Sequence, residues 1–370
     1  MPPLSDFVAG GRAGLAIRSR PVKLVTGVGG WPKQAPDAAR RAEEAGYDVV
    51  TCGELSHDSM LTMALAATAT EEVELQTSVT IAFPRSPMVL AMEAWDIQHL
   101  SGGRFSLGLG TQVKGHNERR FGGTWSAPAP RMREYIDMMR AVWESWQNRT
   151  RPNFEGKQYR YTLMSPNFDP GPLEVPLPKV GLAMVGPGMA KVGGERADVI
   201  MPHGGIMSDR YMREVLLPSV RDGLRSAGRT WADVEIAASG YLILYDDESE
   251  IESRMMGMRQ ALSFYGSTRT YHKVLELHGL GELGEKLHSL SLQGRWDEMR
   301  EAVPLEAVAA LTQTCSNDDL PQFLADHREY ASRFGFALPV RTGEEKERFD
   351  DLRRRIQALR TPGVPRGMEL

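Results

Sequence analysis

Cysteine is nearly absent: two in 370 residues, Cys52 and Cys315, cannot build a disulfide framework. No C-x-x-C or H-x-x-x-H spacing is present, which removes the usual signatures of a structural zinc site. An excess of one charge is missing too. The 44 Lys and Arg face 48 Asp and Glu, a formal net charge of -4, so no overall cationic field exists to hold a nucleic acid. No uncharged apolar run approaches the roughly 20 residues that a bilayer span requires. At the N-terminus, Asp6, Arg12 and Arg18 interrupt the apolar residues, so the hydrophobic region of a secretory signal is lacking. Internal repeats, low-complexity tracts and a domain-separating linker are absent as well. What these absences leave is the expectation of a soluble, reduced, cytoplasmic globular chain. Its 41% hydrophobic content supports a large buried core.

From about residue 22, strand-like runs alternate with helical patterns, the order of parallel strands joined by crossovers. "VKLVTGV" (22–28), "YDVVTC" (47–52), the β-branched "VELQTSVTIAF" (73–83) and "RFSLGLG" are the first four strands. Helices lie between them. One has Pro36 near its start and Gly46 past its end; another has Ser86 as N-cap and Pro87 at its first position, and Gly102 and Gly103 stop it. Residues 148–178 lose periodicity and gain prolines, which predicts an excursion over the surface. The alternation resumes through "VGPGMAKVGGERADVIMPHGG" and a strand over 233–245. A mostly helical region, 248–315, follows. "FGFALPV" (334–340) is the last strand, before a helix opened by a Thr342–Glu345 capping box, with Phe349, Leu352, Ile356 and Leu359 on one stripe. About eight strands with intervening helices fit an α/β (β/α)8 barrel, TIM-like and carrying insertions, as one domain over 1–370.

In such a barrel, chemistry belongs to the loops after the strands. After the second strand stand Glu54, His57 and Asp58, where a histidine can exchange a proton near neutral pH; equally, His57 and Asp58 simply begin the next helix. The hydroxyls of Thr77 and Ser78 either face a cavity or find partners within the strand. Gly108 and Gly110 give G-x-G, but Val113 stands where a dinucleotide fingerprint needs its third glycine, and no helix is expected directly after. The reading left for this strand end is two glycines that admit a ligand to the backbone, followed by a polar loop with Thr111, Gln112, His116 and Asn117. "VGPGMAKVGG" is the best phosphate site in the chain, because a glycine turn entering a helix N-terminus offers free N–H groups and a positive dipole end. The same turn also serves as a plain connection.

Together, "EEAGYDVVTCGE", "LQTSVTIAFPRSPMVLAMEAWDIQHLSGGRFSLGLGTQVKGHNERRFG", "RMREYIDMMRAVWESW", "FEGKQYRY" and "VGPGMAKVGGERADVIM" resemble the bacterial-luciferase-like monooxygenase superfamily, in its coenzyme F420-dependent oxidoreductase branch. The resemblance implies a TIM-like barrel and a homo-oligomer. It implies a non-prolyl cis peptide at Ser78–Val79 behind a flavin-type ring, Thr111 beside that ring, and the cofactor phosphate on Val185, Gly186, Gly188 and Met189. Relatives that carry an Asp-His pair after the second strand align it with Glu54 and Leu55 here, so His57 and Glu54 are the remaining acid/base candidates. The implied function is hydride transfer between the deazaflavin coenzyme F420 and a small organic substrate. A reduced-FMN monooxygenase using oxygen fits the same cavity, and a non-catalytic barrel binding a flavin-like ligand is the third alternative. The excursion at 148–178 and the region 248–315, with Tyr265, Tyr271 and His272, are expected to shape the substrate pocket.

Overall fold

The computed structural model describes residues 19–336 and 343–370. Eight strands carry the fold: β1 Lys23–Gly27, β2 Val49–Cys52, β3 Glu74–Thr77, β4 Phe105–Gly110, β5 Lys179–Met184, β6 Val199–Pro202, β7 Glu235–Ile236 and β8 Arg333–Gly335. Neighbours in this order pair in parallel, and β8 pairs with β1. The ring closes through the parallel Ala237–Arg333 bridge, where Ala238 N–H donates to the Arg333 carbonyl at 2.7 Å. Parallel strands covered on both faces need near-continuous apolar runs, and Val49, Leu75, Leu107, Val180 and Leu182 are fully buried. The barrel expectation holds.

The helices α1 Ala35–Glu44, α2 Ser59–Ala67, α3 Pro87–Leu100, α4 Pro128–Asn148, α5 Pro187–Arg196 and α6 Leu217–Ser226 cover the outside, and α7 Glu344–Gln357 follows β8. Their ends follow local chemistry. The Ser86 hydroxyl accepts the Val89 N–H at 3.1 Å and caps α3, while Gly46, Gly102 and Gly103 take positive φ just past α1 and α3. Two expected strands differ. The run 233–245 divides: Glu235–Ile236 stays in the barrel, whereas Tyr241–Tyr245 leaves it to pair in parallel with Thr312–Ser316. The last barrel strand begins at Arg333, one residue before the expected 334; positions 337–340 of that run and Thr342 of the capping box lie outside the described residues.

The amino-terminal end of the barrel is filled by charge. Lys23, Glu74, Lys179 and Glu235 come from alternate strands, the pattern by which barrel interiors are layered, and Arg333 adds its guanidinium. Arg333, 1% exposed, donates to Gln76 Oε1 at 2.6 Å, Glu74 Oε2 at 2.7 Å and Glu235 Oε2 at 2.6 Å. Lys23 bonds Glu74 at 2.5 Å, and Lys179 bonds Glu235 at 3.1 Å. A cleft of about 410 Å³ lined by Lys23, Lys179, Asp198 and Glu235 opens at these strand starts. It lies at the end of the barrel opposite the strand-end loops.

Candidate active site

The other end of the barrel is open. Gly29, Gly186 and Gly204 follow β1, β5 and β6, and a Cβ added to any of them would meet nothing within 4 Å. At the end of β3 the peptide bond between Ser78 and Val79 is cis, where the resemblance places it, and the strand then resumes at Thr80–Ile81 beside β4. Ser78 is exposed and Val79 half-buried.

The chain around this bulge explains several expected site residues. The Thr77 hydroxyl donates to the Gly108 carbonyl at 2.8 Å and accepts the Gly108 N–H at 2.9 Å, bridging β3 to β4 beyond their last ladder pair. Thr77 therefore has its partners within the sheet. Gly108 and Gly110 are demanded by the same contact: an added Cβ would lie 1.9 Å from the Thr77 carbonyl oxygen at position 108, and 2.4 Å from Val79 Cγ2 at position 110. These glycines admit the neighbouring chain rather than a ligand, which corrects the sequence reading of this strand end.

Glu54 is taken up by the same structure. Its Oε2 accepts the Ile81 N–H at 2.7 Å, and both oxygens bind Arg85, at 2.6 and 3.0 Å. Its own N–H donates to the Val79 carbonyl at 3.1 Å. The residue braces the bulge, and its carboxylate is not free for proton transfer. Asp58 caps α2 by accepting the Leu61 N–H at 2.8 Å and also pairs with Arg85, so the helix-start reading applies to it. His57 lies at the rim, half-buried, with its ring 4.4 Å from that of Trp31.

After β4, Thr111 is half-buried, and Gln112 sits in the left-handed region at φ 56. Buried Asn117 fixes this loop by donating to the carbonyls of Thr111 at 2.9 Å and Val113 at 3.1 Å. Contrary to expectation, a short helix, Lys114–Arg119, follows directly; His116 is exposed on it.

At the end of β5, Val185 leads to Gly186, the N-cap of α5, which has no side-chain cap. Pro187 fills the first helical position and has no N–H to offer. The next two amides, of Gly188 and Met189, have no partner among the described residues. They are free donors at the positive end of a ten-residue helix.

His203, not singled out in the sequence, directly follows β6. Its N–H donates to the Met184 carbonyl at 3.2 Å, and its Nδ1 accepts the Gly205 N–H at 3.2 Å. Tyr265 and Tyr271 come from the helical insert to stand against the ring, with centroids 4.5 and 5.1 Å away. Burial pushes the imidazole down to about 4. His272, expected alongside them, turns into the insert instead, with Nδ1 3.3 Å from Glu285 and its ring beside His288. A histidine followed by two glycines after an apolar strand was the available signal for His203, but only folding of the insert brings the tyrosines to it.

Fold and site define a parallel (β/α)8 barrel with its candidate site built from strand-end loops, and among the described residues no helix is long and apolar enough to cross a membrane. Residues 19–329 match the luciferase-like monooxygenase family, and the chain belongs to it. A Mycobacterium tuberculosis protein of uncharacterised function is 39% identical over 292 residues, 79% of this chain and 86% of the relative. An F420-dependent glucose-6-phosphate dehydrogenase of Amycolatopsis mediterranei is 28% identical over 294 residues, 76% and 84% of the two chains. The coenzyme F420-dependent tetrahydromethanopterin reductase of Methanopyrus kandleri superposes with a TM-score of 0.69 at 18% identity, covering 90% of this chain and 97% of that one. These similarities support oxidoreduction linked to a deazaflavin or flavin as the general class of activity.

Proposed function

We propose that this chain is a coenzyme F420-dependent oxidoreductase that passes a hydride between the deazaflavin and a small organic substrate. The observation that carries the reading is the uncapped start of α5, with free Gly188 and Met189 amides and open space around Gly186, at the same barrel mouth as the Ser78–Val79 bulge. Those residues fit the group. Val185, Gly186, Gly188 and Met189 would hold its phosphate, and Ser78, Val79 and Thr111 would lie along its ring system. The deazaflavin, when bound, supplies a carbon-bound hydride.

What the protein adds is alignment and a proton route. Glu54 and Arg85 keep the bulge in place. His57, at the rim, exchanges a proton with solvent. His57→Ala is then expected to lower turnover at neutral pH while F420 affinity stays unchanged; equal turnover in the variant would remove His57 from the mechanism.

Titration of the purified protein with F420 and with FMN, followed by absorbance and fluorescence, tests the assignment. Saturable binding of F420, with much weaker binding of FMN, is expected, together with turnover in the absence of oxygen. Preference for FMN and loss of all activity without oxygen would instead make the chain a reduced-FMN monooxygenase. Binding with no turnover of any kind would leave a non-catalytic ligand-binding barrel.

A further inference from the structure

The ends of β6 and β7 and the helical insert gather four neutral hydrogen-bonding groups that no other part of the protein uses. The Gly205 N–H occupies His203 Nδ1, so the ring proton resides on Nε2, and that N–H has no partner among the described residues. The Tyr265 and Tyr271 rings lie 6.0 Å apart, both against the His203 ring. Tyr241 completes the group: a Cβ added at Gly205 would lie 2.3 Å from its hydroxyl, so the phenol rests over the very residue that fixes the imidazole. All four side chains are half-buried, and none of the three hydroxyls has a hydrogen-bond partner among the described residues. These groups are not sealed in the protein interior, so solvent serves them until a ligand with a matching acceptor replaces it.

No charge enters this group. Burial lowers the imidazole and raises the Tyr241 and Tyr271 phenols, so these three stay neutral at pH 7. The guanidinium groups that flank it in sequence or space are already committed: Arg328, 3.9 Å from a Cβ placed on Gly240, pairs with Asp209, and Arg269, two residues before Tyr271, pairs with Glu285. A phosphate or carboxylate placed here would lose its hydration without gaining a counter-ion, whereas an uncharged oxygen acceptor would gain donors and aromatic walls.

We infer that His203, Tyr241, Tyr265 and Tyr271 form the substrate subsite, and that it takes an uncharged carbonyl compound or the corresponding alcohol, with the substrate oxygen accepting the His203 Nε2–H. This deepens the F420 reading and rests on it. In the reducing direction the carbonyl carbon gains the hydride, its oxygen gains a proton from solvent, and the reduced coenzyme returns to its oxidised form.

The test uses the full-length protein loaded with F420, and begins with coenzyme affinity for the wild type, H203F and H203Q. All three should bind F420 alike. The probes are acetone, cyclohexanone and acetophenone against glucose 6-phosphate and 2-oxoglutarate, read by perturbation of coenzyme absorbance and by the ¹⁵N shift of the His203 imidazole. At least one ketone is expected to perturb both signals, and the charged compounds neither. H203F, which keeps the aromatic shape without the donor, should weaken that ketone by roughly three- to tenfold, the worth of one neutral hydrogen bond. H203Q, which restores a donor, should recover part of the loss. Silence of all three ketones, binding of the charged compounds instead, or equal ketone binding by H203F would overturn the subsite. Failure of the wild type to bind F420 would strike the proposed function itself, a separable result.

Discussion

Arg333→Ala is expected to cost about 3–5 kcal/mol of folding stability, because it removes the buried guanidinium that Glu74, Glu235 and Gln76 share and leaves the two half-buried carboxylates with lysine partners only. With domain stabilities of about 5–15 kcal/mol, that loss brings the chain close to unfolding at 25 °C. Urea unfolding followed by circular dichroism reads it as a lower midpoint, and a midpoint shift worth under about 1 kcal/mol would show that Lys23 and Lys179 suffice without the arginine. Arg333→Met together with Lys23→Met, Lys179→Met, Glu74→Gln and Glu235→Gln should recover much of the loss, since removing a whole ionic cluster costs less than orphaning part of it.

The same cluster sets an acid limit. Burial by itself would raise the Glu235 carboxyl, but Arg333, Lys23 and Lys179 outweigh it and hold the group well below the usual carboxylate range. A depressed folded value means that Glu235 stabilises the fold fully above the unfolded-state value, near 4.3, and that this contribution is lost as pH falls through the folded one. Wild-type stability should therefore fall below pH 4–5, and Glu235→Gln should flatten that slope.

Gly188→Asp is expected to separate binding from folding. The new Cβ meets only Ala129 Cβ, at an ordinary 3.7 Å, and an acidic side chain in the first turn of α5 favours the helix by about 0.3–1 kcal/mol. Toward a bound phosphate the same charge is repulsive, by about 1–4 kcal/mol at 4 Å between aqueous and protein-surface screening. F420 affinity should thus drop roughly tenfold or more while the melting temperature holds or rises. Unchanged affinity would move the phosphate away from this helix.

Much of the architecture was legible in the chain. Parallel strands buried on both faces require apolar runs, and helices must start and stop, so Ser86, Gly46 and Gly102 marked their boundaries through chemistry confined to a few neighbouring residues. The free amides of Gly188 and Met189 were readable for the same reason: a glycine turn followed by Pro187 fixes them locally. Local reading failed where meaning depends on a distant partner. Gly108 and Gly110 read as room for a ligand, yet Thr77 and Val79 fill that room. Glu54 read as an acid, yet Arg85, 31 residues on, holds both of its oxygens.

By itself, then, the sequence determined the barrel and the anion-ready helix start, because hydrophobic periodicity, caps and glycine turns act over one or two turns of chain. Tertiary structure alone decided which polar groups remain free. It tied Glu54 and Thr77 into the scaffold, sent His272 into the insert, and set Tyr265 and Tyr271, more than 60 residues away in sequence, against His203. Whether a side chain is spent or available depends on what the fold brings within hydrogen-bonding distance, and spacing along the chain does not encode that.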